Sequence, residues 1–208
     1  MNGTVCIGTL EDRTRLAEQF QAQHHVILRE LMDIRLLGKI RGLVHTTPFR
    51  DLVHSGIGSN LEQCMESGVA DHMLHVIANG SALFHFVEAV TGCRRISRFD
   101  GRVYRMAPGA GHHDAWHNDC GGGRLIGMSL NLSESDYQGG LLELKERDME
   151  APLAVVHNTG PGDALLFRID QALVHRVTEV IGANAKTAFA GWFCTGPTYV
   201  GRLRDSSV

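Results

Sequence analysis

GPGDALLFRIDQALVHRVTEVIGANAKTAFAGWF, residues 160–193, holds three short apolar runs, DALLFRI, ALVHRVTEV and TAFAGWF, divided by Gly, Pro, Asn and Asp. Runs of this length, rich in Val, Phe and Leu and bounded by turn formers, read as strands. The same texture reaches back to Arg94 through RVYRMAP, LIGMSLNLS, GLLELKE and LAVVHNT. About seven or eight strands, with no helix between them long enough for a parallel α/β sheet, predict an all-β sandwich or barrel.

Before Gly92 the apolar period changes. Leu10 to Phe20 and Leu31 to Val44 recur at helical spacing, a brief extended run spans His25 to Leu28, and a helical stretch runs from Val69 to about Val90 with a break at Asn79-Gly80. The segment from His45 to Asn60, with Pro48, Gly56 and Gly58, reads as a long loop. Without a linker, repeat or low-complexity tract, residues 1–208 are expected to form a single domain: a helical support over about residues 1–92 and a β core over about residues 93–208.

At 208 residues the chain is long enough for a core without covalent staples. A formal net charge of -3, with Lys and Arg scattered, offers no electrostatic footprint for nucleic acid or an anionic membrane surface. A small molecule, amino acid or peptide is therefore the expected partner. Cys6, Cys64, Cys93, Cys120 and Cys194 are odd in number, widely spaced and form no C-x-x-C, so neither a disulfide framework nor a structural zinc site is indicated. With no signal-like N-terminus and no apolar run approaching a membrane span, a cytoplasmic protein is expected.

The chemistry concentrates in HHDAWHNDC, residues 112–120, which contains H-x-D twice, at His112 to Asp114 and at His117 to Asp119. Residues i and i+2 of a strand share a face, so H-x-D can offer an imidazole and a carboxylate to one ion. Two imidazoles and one carboxylate leave three open positions on an octahedral ion, the arrangement of mononuclear non-haem Fe(II) oxygenases. A second histidine, His175, lies on a predicted strand, and Lys186 opens the last one.

In order, the chain carries Tyr104, His117-Asn-Asp119, Arg124, Gly139-Gly140-Leu-Leu-Glu, Gly160-Pro-Gly-Asp163, His175-Arg-Val177, Lys186 and Trp192-Phe193. As a set these resemble the Fe(II)/2-oxoglutarate-dependent dioxygenase superfamily, in particular its prolyl-4-hydroxylase-like branch, over about the last half of the chain. The resemblance implies a double-stranded β-helix, a cupin-like jelly roll with N-terminal helices. It implies metal and catalytic roles for His117, Asp119 and His175, because the interval from His117 to His175 suits the family better than the longer one from His112. It implies that Lys186, in place of the more frequent arginine, binds the distal carboxylate of 2-oxoglutarate, with Tyr104 as a hydroxyl partner.

The implied activity is hydroxylation of an unactivated C–H bond using Fe(II), 2-oxoglutarate and O2, with release of succinate and CO2 and ascorbate as a candidate reductant. Asp119 favours hydroxylation over halogenation, because related halogenases carry a small residue there. Arg124 either forms a salt bridge within the fold or reaches the co-substrate. Asn131, on one face with Ser129 and Ser133, either lines the interior, binding co-substrate or substrate, or faces solvent. His112, His113 and Trp116 are placed on an irregular loop from Pro108 to Trp116 and are candidates for substrate contact. Two competing readings use the same ligands: a cupin-like metal-dependent isomerase or lyase, and a non-catalytic sensor of metal and 2-oxoglutarate.

Overall fold

The structure is a computed structural model that describes residues 10–54 and 60–199. Its helices are α1 (Leu10–Gln23), α2 (Ile34–Thr46), α3 (Val69–Ala78) and α4 (Ser81–Thr91). Its strands are β1 (His25–Leu28), β2 (Phe49–His54), β3 (Asn60–Met65), β4 (Arg98–Met106), β5 (His113–His117), β6 (Arg124–Asn131), β7 (Gln138–Gly139), β8 (Leu142–Glu146), β9 (Ala154–Val156), β10 (Ala164–Arg168), β11 (Leu173–Val177), β12 (Val180–Ile181) and β13 (Lys186–Cys194).

The main sheet is antiparallel, in the order β1-β10-β6-β13-β4-β3-β5-β11-β8-β9, with β2 added on β3 and a small β7/β12 pair apart. Curled on itself, it forms the double-stranded β-helix expected from the sequence. β13 shows how the pattern builds it. Thr187, Phe189 and Phe193 are buried on the helix side, while Lys186, Ala188, Ala190 and Trp192 line an interior cavity. Phe189 and Phe193 join Phe99, Phe20, Leu37, Ile40, Leu74 and Val87 in the core between sheet and helices. Each such side chain contributes roughly 1.5–3 kcal/mol relative to leaving it exposed.

The helices begin and end where local chemistry dictates. Asp33 caps α2 by accepting from the backbone N–H groups of Arg35 and Leu36 at 3.0 and 3.3 Å. Gly92, at φ 66°, ends α4 in the left-handed conformation that lacks a penalty only for glycine. No single helix among the described residues is long and apolar enough to cross a membrane; α3 and α4 reach that length and composition only jointly, across a 55° bend.

Three sequence expectations are corrected. The segment from His45 to Asn60 is not one long loop: α2 continues to Thr46, and β2 and β3 form a hairpin that enters the sheet between β4 and β5. The first 92 residues are accordingly not only a helical support, since β1, β2 and β3 belong to the sheet. Residues 113–117 are likewise a strand, β5, paired with β3 and β11, and not part of an irregular loop. Both strands escaped detection for one reason: β3 turns Glu62 inward and β5 turns Asp114 and His117 inward, so neither shows apolar alternation. Cys6, Gly56 and Gly58 lie outside the described residues.

Candidate metal centre and its cavity

β5 and β11 bring the two histidines together. His117 stands directly opposite His175, with ring centroids 4.3 Å apart. The next aligned pair is Asp114 with Val177, so β5 carries one extra residue between the two pairs, a β-bulge. The bulge shifts the alternation by one position and lets Asp114 and His117, three residues apart, face the same cavity.

Asp119 follows two residues after β5 ends. Its Oδ1 is 3.6 Å from His117 Nε2 and its Oδ2 3.3 Å from His175 Nε2. One ligand atom from each of the three residues lies within 4.8 Å of the others. His117 Nδ1 donates to the Ala115 carbonyl at 2.7 Å, which fixes the tautomer and leaves Nε2 with its lone pair toward Asp119. Burial holds the His175 pKa below its ordinary value, the Asp119 hydrogen bond pulling the other way, so this imidazole stays neutral. Burial alone would raise the Asp119 pKa, but the hydrogen bonds it accepts from His175 and from the Trp192 N–H hold it below the usual carboxylate range. Two imidazole nitrogens beside a carboxylate that remains ionised are a donor set suited to a borderline divalent ion such as Fe(II). The triad therefore fits Fe(II) in charge and in convergence of its donor atoms.

The carboxylate is held from behind. Trp192 Nε1 donates to Asp119 Oδ2 at 2.6 Å, Arg124 Nη1 donates to Oδ1 at 3.1 Å, and the Arg124 guanidinium lies 3.6 Å over the Trp192 ring. Arg124 thus takes the salt-bridge role left open by the sequence. Phe167 packs 4.7 Å from the His175 ring and is itself admitted by Gly127, where a Cβ would come within 2.1 Å of the Phe167 ring.

The cavity measures about 790 Å³. At one end Lys186, fully enclosed, donates from Nζ to the Gly140 carbonyl at 2.7 Å, with the rings of Tyr104 and Tyr137 each 5.9 Å away. Burial lowers the Lys186 pKa to about 8, opposed by the charges of Asp114 and Glu62. Burial pushes both tyrosine hydroxyls well above their usual range, so they remain hydrogen-bond donors. Asn131 does line the cavity, but its carboxamide is engaged by the backbone, donating to Thr159 O at 2.6 Å and accepting from Ser133 N at 2.9 Å.

The three candidates for substrate contact fall elsewhere. His112 is buried and accepts from the Ala107 N–H, His113 hydrogen-bonds the Gly111 carbonyl, and Trp116 packs under Lys145 and Arg176. None of the three lines the cavity. In their place the cavity receives Asp114, Glu62, Arg102 and, at its exposed mouth, His157. Sequence reasoning assigned no role to Glu62, Arg102, His157 or Tyr137, weighed Asp114 only as half of the other H-x-D, and quoted Trp192 as motif without seeing its bond to Asp119. Burial, with the charges of Asp119 and Glu62, raises the Asp114 pKa to about 6 against the pull of His117.

Residues 101–194 match the family model of the 2OG-Fe(II) oxygenase superfamily. No curated protein matches the sequence significantly. Among solved structures, the chain is similar to an oxidoreductase of the 2OG-Fe(II) oxygenase family from Burkholderia pseudomallei, at a TM-score of 0.69 and 14% identity, covering 95% of this chain and 98% of that one. It is similar to a Pseudomonas putida prolyl-4-hydroxylase, at 0.63 and 16%, covering 88% and 99%. A prolyl hydroxylase from Trichoplax adhaerens, solved with a hypoxia inducible factor peptide fragment, aligns at 0.63 and 16%, covering 89% and 91%. At such identities these likenesses speak for the fold.

Proposed function

From the match of residues 101–194 to the family model of the 2OG-Fe(II) oxygenase superfamily, we propose that the chain is a member of it, a dioxygenase that uses Fe(II), 2-oxoglutarate and O2 to hydroxylate an unactivated C–H bond of a small molecule, amino acid or peptide. The observation that carries this reading is the convergence of His117, Asp119 and His175 in a cavity whose far end holds an enclosed lysine. Bound to the triad, the metal with its co-substrate supplies the oxidising power, and succinate and CO2 are the by-products. A cytoplasmic setting and ascorbate as reductant accompany the same reading.

The chain's own residues have separable tasks. His117 and His175 offer Nε2 lone pairs, with the Ala115 carbonyl orienting the first ring and Phe167 packing the second. Trp192 and Arg124 hold the Asp119 carboxylate in place, as groups behind metal ligands commonly do. The Lys186 ammonium neutralises the distal carboxylate of 2-oxoglutarate as a point charge, where an arginine would form a fork. Tyr104 presents a hydroxyl that stays protonated beside it. Leu142, Val156 and Leu165 keep the intervening wall apolar and water out.

Anaerobic titration of Fe(II)-loaded protein with 2-oxoglutarate tests the assignment. The expected result is a weak visible charge-transfer band in the wild type and none in His175→Ala. Tight metal binding with no band would refute it. Succinate release on turnover then separates an enzyme from a sensor.

A further inference from the structure

The cavity carries more charge than a metal and a dicarboxylate call for. Along the β4/β13 ladder Met106 pairs with Lys186, Tyr104 with Ala188 and Arg102 with Ala190, while Trp192, which holds Asp119, lies one inward step further. Arg102 therefore stands four residues along β4 from the Lys186 level, about 13 Å at the usual strand rise. It is on the triad's side of the cavity, and the small side chains of Ala188 and Ala190 leave the wall between open.

Arg102 does not act alone. Its Nε is 2.7 Å from Glu62 Oε1, and Nη2 contacts the same oxygen. The Glu62 side chain is only 6% exposed and that of Arg102 29%, so the ion pair lines the cavity with its carboxylate buried and its guanidinium partly open. Across the next strand boundary Asp114 pairs with Asn60, which makes it the diagonal neighbour of Glu62 on one face, at about 7–8 Å between backbones. Asp114 Oδ1 in turn lies 3.4 Å from His117 Nδ1. Two carboxylates and a guanidinium thus share one wall beside the triad, the carboxylates still near enough to Lys186 to favour its charged form.

Stability does not account for them. A buried ion pair is often no better than apolar residues of the same volume, and a further carboxylate adds repulsion. Charges kept in such a place serve recognition. A substrate bearing only a carboxylate would meet Glu62 and Asp114, and one bearing only an amine would meet Arg102. An internal peptide residue has no charge to offer either. A guanidinium has five donors and a carboxylate about four acceptor sites, so a pair of this kind takes on ligand groups without being dismantled.

We infer that Glu62, Arg102 and Asp114 form a clamp for a free α-amino acid as the prime substrate, its ammonium between the two carboxylates and its carboxylate on the guanidinium. The clamp rests on the oxygenase reading and narrows its substrate class; the amino-acid side chain is left pointing at the triad.

The test is calorimetric titration, without oxygen, of protein loaded with Fe(II) and 2-oxoglutarate. The probes are the proteinogenic L-amino acids and, for each one that binds, its amide and its N-acetyl derivative. At least one free amino acid is expected to bind, and blocking either end should weaken it by at least about tenfold. Arg102→Met should erase the discrimination against the amide, and Asp114→Asn should reduce that against the N-acetyl form; the charge-transfer band in each variant reports an intact loaded site. No binding by any amino acid at millimolar concentration, or blocked forms that bind as well as free ones, would overturn the clamp while a persisting band left the oxygenase reading standing. Loss of the band from the wild type would overturn both.

Discussion

Replacing Lys186 with methionine should remove the co-substrate anchor and yet leave the unliganded protein at least as stable. Burial lowers the lysine from an ordinary 10.5 to about 8, so holding its charge in the folded state costs about 3 kcal/mol near neutral pH. Methionine fills similar space without that charge but leaves the Gly140 carbonyl without the Nζ bond, a loss of about 1–3 kcal/mol. The net change near pH 7 is a gain of about 0–2 kcal/mol. The pH dependence is sharper, because the carbonyl contribution cancels. A lysine with a depressed folded pKa binds more protons unfolded than folded between about 8 and 10.5, so wild-type stability rises with pH across that window. The cost is fully present below about 8 and fades as pH climbs toward 10.5. Urea unfolding of both proteins at about pH 7 and about pH 9.5 should show the advantage of Lys186→Met over wild type shrinking by about 2 kcal/mol. Groups common to both proteins drop out of that difference. A pH-independent difference would refute the argument, showing that the lysine is not held as a desolvated cation.

For wild type, 2-oxoglutarate affinity should fall by about tenfold per pH unit above about 8 as Lys186 loses its proton, and Lys186→Arg should flatten that profile. Equilibrium titrations across pH decide it. Trp192→Phe keeps a ring under Arg124 but deletes the 2.6 Å bond to Asp119 and should weaken metal binding by about 10–100-fold with little change in unfolding midpoint, read by chelator competition. An unchanged affinity would mean that Arg124 alone secures the carboxylate. Gly127→Ala should push Phe167 onto His175, costing about 1–3 kcal/mol in stability and lowering metal affinity. Adding Phe167→Leu should restore both, and failure of that rescue would locate the damage in the backbone.

What could be read from sequence followed apolar patterning closely. β10 is ALLFR, buried on both faces, and β13 sets Phe189 and Phe193 on the core face and Ala188 and Ala190 on the cavity face, so both announce themselves. The break between α3 and α4 falls at Asn79-Gly80 as expected. β3 and β5 were illegible because the residues they turn inward are polar, and that is also why they matter to the site. The bulge between His117 and Asp114 leaves no mark in the composition of HDAWH, yet it decides that Asp114 enters the cavity. His112 and His113 look in sequence like the metal histidine, set apart there only by the interval to His175, and packing shows where they go: one is spent on the Ala107 N–H, the other on the Gly111 carbonyl. Trp192 could have been suspected from its inward parity with Lys186, Ala188 and Ala190, but its partner lies in a distant turn.

The β4/β13 ladder runs from Lys186 opposite Met106 to Cys194 opposite Arg98 without a break in register. Strands paired over that length cannot slip by one residue without turning every side chain to the other face. On the proposed assignment they act as a gauge, since the anchor at Lys186 and the brace at Trp192 are fixed a whole number of pleats apart. A dicarboxylate one methylene longer crowds one end, and one methylene shorter fails to reach it. Selection by length is thus written into the backbone and is stubborn to point mutation, whereas selection by charge beside the triad resides in three exchangeable side chains.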